Sequence, residues 1–231
     1  IGEILQSSAA SGIEPAVNVA RVAVAKGIPT RIEFFGAELA RRLRDQGPAA
    51  DLIIGNNVLA QVPDLNDFVA GMKHLLAPRG LITLEFPHLV RLIAGNQFDT
   101  IYHEHFSYFS LVAVERVFAA HGLELFDVEE LATHGGSLRV YAQRAGEGRQ
   151  AVGPRVAELA ARERAPGGES RATYARFEER VRETKRKLLE FLIAAKRDRK
   201  KIAGYGAPGK GNTLLNYCGI RTDFLDFTVD R

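Results

Sequence analysis

Two runs decide how this chain is read: Leu123-Glu124-Leu125-Phe126-Asp127-Val128 and Ser137-Leu138-Arg139-Val140-Tyr141-Ala142-Gln143, parted by a short segment that contains Gly135 and Gly136. Each run is strand-like and the glycines suit a turn, so the pair predicts an antiparallel hairpin. Upstream the pattern differs. Strand-like runs at Ile1 to Ile4, Gly12 to Glu14, Thr30 to Phe35, Asp51 to Gly55 and Gly80 to Phe86 alternate with helical ones at Ala16 to Lys26, Ala37 to Gln46 and Leu65 to Leu76. Such alternation implies βαβ units and a parallel sheet with helices on both faces.

Parallel strands closed by a terminal hairpin fit a class I methyltransferase core better than a dehydrogenase core, although periodicity alone leaves the second open. Downstream, Gly146 to Ser170 is rich in Gly, Arg and Glu and reads as a connection. Tyr174, Phe177, Val181, Leu188 and Leu192 then recur at three- and four-residue steps, the mark of a long amphipathic helix. A second α/β unit follows, with a strand at Lys201 to Gly204, a glycine turn, a helix from Asn212 to Cys218 and a strand from Phe224 to Val229. The fold expected is α/β: a class I methyltransferase Rossmann-like sheet with the hairpin, a long helix, and a second, incomplete Rossmann-like unit. The divisions are 1–145, 146–200 and 201–231.

Composition narrows the class. The 231 residues are 46% apolar and 26% charged, which is ordinary globular usage and argues against disorder and collagen-like repeats. The apolar runs are too short for a transmembrane helix. A single cysteine, Cys218, excludes an internal disulfide framework and a cysteine-based zinc cluster, and makes a cytoplasmic setting the expectation. The formal charge of +3 is too small to imply nucleic acid. Between Arg144 and Lys201 basic residues outnumber acidic ones about two to one, which is read as the solvated face of the long helix. The opening Ile1-Gly2-Glu3-Ile4 resembles the middle of a strand, so the chain is expected to be a piece of a longer protein.

Five segments could carry chemistry. Gly12-Ile13-Glu14-Pro15 puts an acid at the end of the second strand, where nucleotide-binding α/β folds meet ribose hydroxyls; the alternative is an ordinary acid at a helix start. Gly55-Asn56-Asn57-Val58 sets two amides at the carboxyl end of a strand, to bond a ligand or to cap a turn. Gly204-Tyr205-Gly206-Ala207-Pro208-Gly209-Lys210-Gly211 satisfies G-x-G-x-x-G between strand and helix, with Lys210 adding a cation for a phosphate. Gly211 stands where a P-loop needs Ser or Thr, which argues against a nucleotide hydrolase. The most specific is Phe98-Asp99-Thr100-Ile101-Tyr102-His103-Glu104-His105-Phe106-Ser107-Tyr108-Phe109. Its histidines lack H-E-x-x-H spacing and a nearby thiolate, so proton transfer is favoured over metal binding. Arg139, within His134-Gly135-Gly136-Ser137-Leu138-Arg139, is either structural or a contact for an anionic substrate.

Together with Asn57-Val58-Leu59-Ala60 and Gly204-Tyr205-Gly206-Ala207, these blocks resemble the S-adenosylmethionine-dependent sugar C-methyltransferases, from about Gly12 to the end of the chain. The resemblance implies methyl transfer from S-adenosylmethionine to C3 of a nucleotide-linked 4-keto deoxysugar, in antibiotic biosynthesis. It implies His105 as base, assisted by Tyr102, Glu104 and Asn57. Glu14, Pro15, Asn56 and Phe35 would meet the cofactor. Gly204, Tyr205, Gly206, Lys210 and Arg139 would meet the substrate. The family's zinc belongs to an N-terminal domain that this sequence lacks, and no metal is expected here. A monomer without nucleic-acid or membrane partners is expected. Two departures stand out: the methionine-binding glycine loop is not recognisable between Ile4 and Gly12, and Gln61 replaces the family's His. Two rival readings are an NAD-dependent oxidoreductase using G-x-G-x-x-G and a sugar-nucleotide binding module without catalysis.

Overall fold

The computed structural model describes residues 10–165 and 170–230. The expected strand at Ile1 to Ile4 and the loop before Ala10 lie outside them. The first described elements are β1 (Gly12–Ile13), α1 (Val17–Ala25), β2 (Thr30–Arg31) and α2 (Ala37–Gln46). β1 and β2 pair in parallel as a separate ladder, not as part of one continuous sheet. The strand expected over Thr30 to Phe35 stops at Arg31. Beyond it the chain turns so that Phe34 is 82% exposed while Phe35 packs edge-on against Phe68 at 5.4 Å.

The main sheet is built from β3 (Ala50–Asn56), β4 (Leu76–Pro87), β5 (Leu123–Leu131) and β6 (Ser137–Arg144), in the order β3-β4-β6-β5. β3 and β4 run parallel, joined through α3 (Leu65–Leu75), and β6 is antiparallel to both β4 and β5. β4 carries buried Ile82, Leu84 and Phe86, and β6 carries Leu138, Val140 and Ala142, while Thr83 and Glu85 of β4 and Arg139, Tyr141 and Gln143 of β6 take the other face of the sheet. α3 and α5 (Leu111–Ala120) cover this core with Phe68, Val69, Met72, Val114 and Phe118. Asp64 caps α3 by accepting the Asp67 amide at 2.9 Å, and Ser110 caps α5 through the Ala113 amide. Gly71 lets α3 reach the start of α2: a Cβ there would sit 2.7 Å from the Gly36 carbonyl carbon.

The insert after β4 forms α4 (Leu89–Ala94) and a 3-10 turn at Phe98–Thr100. The connection holds α6 (Pro154–Arg164), and α7 (Arg171–Arg197) is the long helix. α7 grips the insert, with Asn96 Nδ2 donating to Thr184 Oγ1 at 2.9 Å and Arg180 donating to the Ala94 carbonyl at 3.2 Å. The last unit is β7 (Ala203–Tyr205), α8 (Gly209–Cys218) and β8 (Phe227–Val229), with β7 and β8 parallel. Its small core joins Cys218 and Ile220 to Leu192 of α7.

Candidate active site

Strand register builds the first cluster. Asn56 pairs with Glu85, and Glu85 with Arg139, so the carboxyl ends of β3 and β4 meet the start of β6. Glu85 is only 6% exposed, yet both its oxygens are satisfied: Thr133 Oγ1 donates at 3.0 Å and Arg139 at 2.9 Å. Arg139 also faces Glu129 of β5 at 3.7 Å. The Glu85 hydrogen bond raises the guanidinium pKa, against a smaller lowering by burial. Its charge is thus committed to two carboxylates of neighbouring strands, which favours the structural alternative for this residue over an anion contact.

Beside this cluster two non-glycine residues adopt left-handed backbone. Asn57 has φ 57° and His134 has φ 54°, and their side chains face each other, Nδ2 to Nε2, at 3.5 Å. Asn tolerates that region and His visits it less readily, so a pair held this way marks a locally strained edge. The Asn57 amide is fixed by the Glu85 carbonyl at 2.7 Å.

The second cluster is the aromatic loop. The Phe106 and Ser107 amides donate to the Ala60 carbonyl at 2.8 and 3.2 Å, which docks the loop on the 3-10 turn Leu59–Gln61, just after Asn57. His105 is half-buried. Its ring stacks on Tyr102 with centroids 4.6 Å apart and meets the edge of Tyr108 at 5.8 Å. His105 Nδ1 lies 3.2 Å from the Thr100 carbonyl. The Tyr108 hydroxyl is buried without a well-formed hydrogen bond. Burial raises its phenol pKa, and the Tyr102 amide opposes this only in part. Glu104 and His103 are exposed, and Glu104 makes no hydrogen bond to His105 among the described residues, so any help it gives His105 acts through space.

The loop and the last unit share a cleft of about 600 Å³. Ile101, Tyr102, His103 and Glu104 line one side; Gly209, Asn212, Thr213, Asn216 and Tyr217 of α8 line the other. Phe98 packs edge-on against Tyr217 at 5.1 Å and Lys185 of α7 donates to the Tyr217 carbonyl at 3.0 Å, which holds the walls together. Gly206 takes φ 92° and its amide bonds Val229, so the glycine turn leaves β7 sharply toward α8. Tyr205 is 81% exposed and Lys210 sits in the first turn of α8.

Glu14 spends Oε1 on the Ala16 amide at 2.8 Å, as an acid at a helix start does, while Oε2 has no hydrogen bond among the described residues. A carboxylate with one open oxygen fits a ribose diol. Phe35 is drawn into the core against Phe68, and Pro15 and Asn56 are exposed. The sequence blocks at Asn57, Tyr102 to Tyr108 and His134 are thus brought together. No described contact joins Glu14 to them.

Sequence reading assigned no role to five residues that the structure places at or beside the site. Glu85 did leave a signal, as an acid inside the apolar run Leu81 to Phe86. Gln97 left none, and Thr100 stood inside the aromatic run with nothing to mark its main-chain role. Nor did the buried pair His88 and Glu163 leave a signal, since 75 residues separate them. His88 Nε2 meets Glu163 Oε1 at 2.7 Å, and the carboxylate also accepts the Leu111 and Val112 amides at 2.9 Å each. Among the described residues, no group of three or more His, Cys, Asp or Glu could hold a metal ion, and no helix is long and apolar enough to cross a membrane.

Comparison with known proteins adds the following. Residues 5–128 match the family model for a methyltransferase domain, and residues 132–231 match that for a C-methyltransferase C-terminal domain. The C-methyltransferase NovU of Streptomyces niveus is 41% identical over 222 residues, covering 95% of this chain. The chain spans 52% of that relative's length. Among solved structures, a methyltransferase from Anabaena variabilis superposes with a TM-score of 0.48 at 12% identity, covering 61% of this chain and 70% of that one. The 1,6-didemethyltoxoflavin-N1-methyltransferase of Burkholderia thailandensis gives 0.45 at 15%, covering 62% and 64%.

Proposed function

Because the chain belongs to the methyltransferase-domain family, we propose that it works as a C-methyltransferase, moving a methyl group from S-adenosylmethionine to C3 of a nucleotide-linked 4-keto deoxysugar. The observation that carries this reading is the cleft in which Tyr102 and Glu104 face α8 along most of its length, from Gly209 to Tyr217. It gives residues 101–104 of the aromatic loop and Gly209 of the glycine block one shared ligand space, with the rest of its wall from α8. The match of residues 132–231 to a C-methyltransferase C-terminal domain and the 41% identity to NovU support it. The oxidoreductase reading of G-x-G-x-x-G is set aside, since the first segment matches a methyltransferase model.

A C–H bond is a poor nucleophile until its proton is removed, and a neighbouring ketone acidifies that proton by spreading the charge as an enolate. His105 takes the C3 proton. Tyr102, stacked on the imidazole, donates a hydrogen bond to the developing oxyanion. Asn57, at the β3 edge, orients the acceptor. S-adenosylmethionine supplies an electrophilic methyl on a sulfonium. Glu14 binds its ribose through the open oxygen, with Pro15, Asn56 and the Phe35 backbone beside it. Gly204, Tyr205, Gly206 and Lys210 hold the nucleotide phosphates. Holding donor and acceptor in line supplies much of the acceleration. Gln61 is neutral at any working pH, so proton transfer rests on His105. The protein works as a cytoplasmic monomer with no nucleic-acid or membrane partner. Its parts are a methyltransferase unit over 1–145, a helical connection over 146–200 and a sugar-nucleotide unit over 201–231.

The test is exchange at C3. In deuterium oxide the chain exchanges the C3 proton of the keto-sugar nucleotide, and His105→Asn abolishes that exchange. Normal exchange in the variant removes His105 as the base. S-adenosylhomocysteine at a hundred times its Kd raises stability by about 2.7 kcal/mol; a stabilisation by NADH in its place revives the oxidoreductase.

A further inference from the structure

The geometry points to a tautomer lock on His105: the Thr100 carbonyl holds the ring as the Nδ1–H form, and Gln97 is the positioning residue that fixes that carbonyl from the His134 turn. The inference deepens the base assignment above and rests on it for its functional meaning, though not for its test.

A carbonyl oxygen only accepts. With Nδ1 at 3.2 Å from Thr100 O, the proton of a neutral ring sits on Nδ1. Nε2 then keeps its lone pair, and no described residue hydrogen-bonds it. The stack of Tyr102 and the edge of Tyr108 oppose rotation of the ring. Thr100 is itself pinned. Its amide and its hydroxyl both donate to the Gln97 carbonyl, at 3.1 and 2.8 Å, and it is 5% exposed. Gln97 reaches the other way as well: Nε2 donates to the Gly135 carbonyl at 2.8 Å. Gly135 takes φ 86°, and a Cβ there would fall 2.4 Å from Gln97 Oε1, so the turn is shaped to admit this side chain. One glutamine thereby ties the His134 turn, which faces Asn57, to the carbonyl that sets which nitrogen of His105 is basic. The tautomer of a working imidazole is commonly set by the hydrogen bond its other nitrogen makes.

Long-range proton–nitrogen correlation on the 231-residue chain with ¹⁵N-labelled histidine rings reads the tautomer directly, at about two pH units above the ordinary imidazole value. His105→Gln assigns the signal among the six histidines. The expected result is the Nδ1–H pattern for His105. Gln97→Glu, alike in size but without the N–H donor, and Gln97→Ala both lower the ratio of Nδ1–H to Nε2–H about fivefold, the size of one modest hydrogen bond, with the far-ultraviolet spectrum unchanged. An Nε2–H pattern in the unmodified chain overturns the lock, and an unchanged ratio in Gln97→Glu overturns the tether. If the Nδ1–H pattern holds while His105→Asn still exchanges the C3 proton, the base assignment falls and the lock stands.

Discussion

Glu163→Ala removes the acceptor at the centre of a buried knot. Its side chain is 1% exposed and serves three donors: His88 Nε2 at 2.7 Å and the Leu111 and Val112 amides at 2.9 Å. Those amides open α5, so the carboxylate also faces the positive end of that helix. Orphaning a buried donor costs about 1–3 kcal/mol, and Glu163 serves three. We expect about 4 kcal/mol, a large fraction of the roughly 5–15 kcal/mol that holds an ordinary domain together. Urea unfolding followed by circular dichroism at neutral pH measures it. Glu163→Gln keeps an acceptor oxygen but turns an amide donor toward other donors, and costs less than Glu163→Ala. Burial pushes the Glu163 carboxyl pKa up, but His88 and the Val112 and Leu111 amides outweigh it and hold the carboxyl below its ordinary 4.5. A carboxyl with a folded pKa below its unfolded one adds stability that is fully present above the unfolded value. That stability is lost as pH falls through the folded value, and Glu163→Gln removes this acid dependence. A loss under about 1 kcal/mol for Glu163→Ala, or equal losses in the parent and in His88→Ala, would refute the reasoning, since residues in contact couple by about 0.5–3 kcal/mol.

Two further outcomes follow from packing. Gly136→Ala is expected to cost about 1–3 kcal/mol, because φ is 124° there and the new methyl would lie 2.8 Å from Arg91 Cβ; a thermal midpoint within error of the parent counts against it. Phe86→Ala empties a fully buried site against the edge of Phe109 at 5.7 Å and should cost about 3–5 kcal/mol in urea unfolding; a loss below about 1 kcal/mol would mean the site collapses freely.

What could be read from sequence was what local patterns encode. The period-two alternation of Ser137 to Gln143 gave a strand because each inward residue, Leu138, Val140 and Ala142, is buried in the sheet. Ala37 to Gln46 gave a helix with its bounds because glycines stand on either side, Gly36 and Gly47. Thr30 to Phe35 was overread because apolar, β-prone residues look alike whether they extend a strand or, as with Phe35, drop a ring into a helix-lined core. At the site, residue types marked the loop, but hydrogen bonding to the main chain did not show. Nothing in Gln97 or Thr100 as letters says that one holds the carbonyl facing His105. Nor could spacing pair His88 with a glutamate on α6.

The two matched segments meet between residues 128 and 132, yet that junction is not a folding boundary. β5 ends at Leu131, and β6, wholly within the second segment, lies between β4 and β5. Without β6 the inner edge of β4 would lose its ladder from Ile82 to Pro87, and β5 would have no partner in the sheet. An open row of unpaired amides beside Leu84 and Phe86 is an aggregation template, not a stable domain. Glu163 reinforces the same point from the other side, since a residue of the second segment caps α5 of the first. The site follows this interlocking. Glu85 on β4 belongs to one segment, while Thr133 and Arg139, which satisfy it, belong to the other. The polar edge that faces Asn57 therefore exists only once both segments have folded together, and a glutamine reaching from Thr100 to Gly135 spans that same seam.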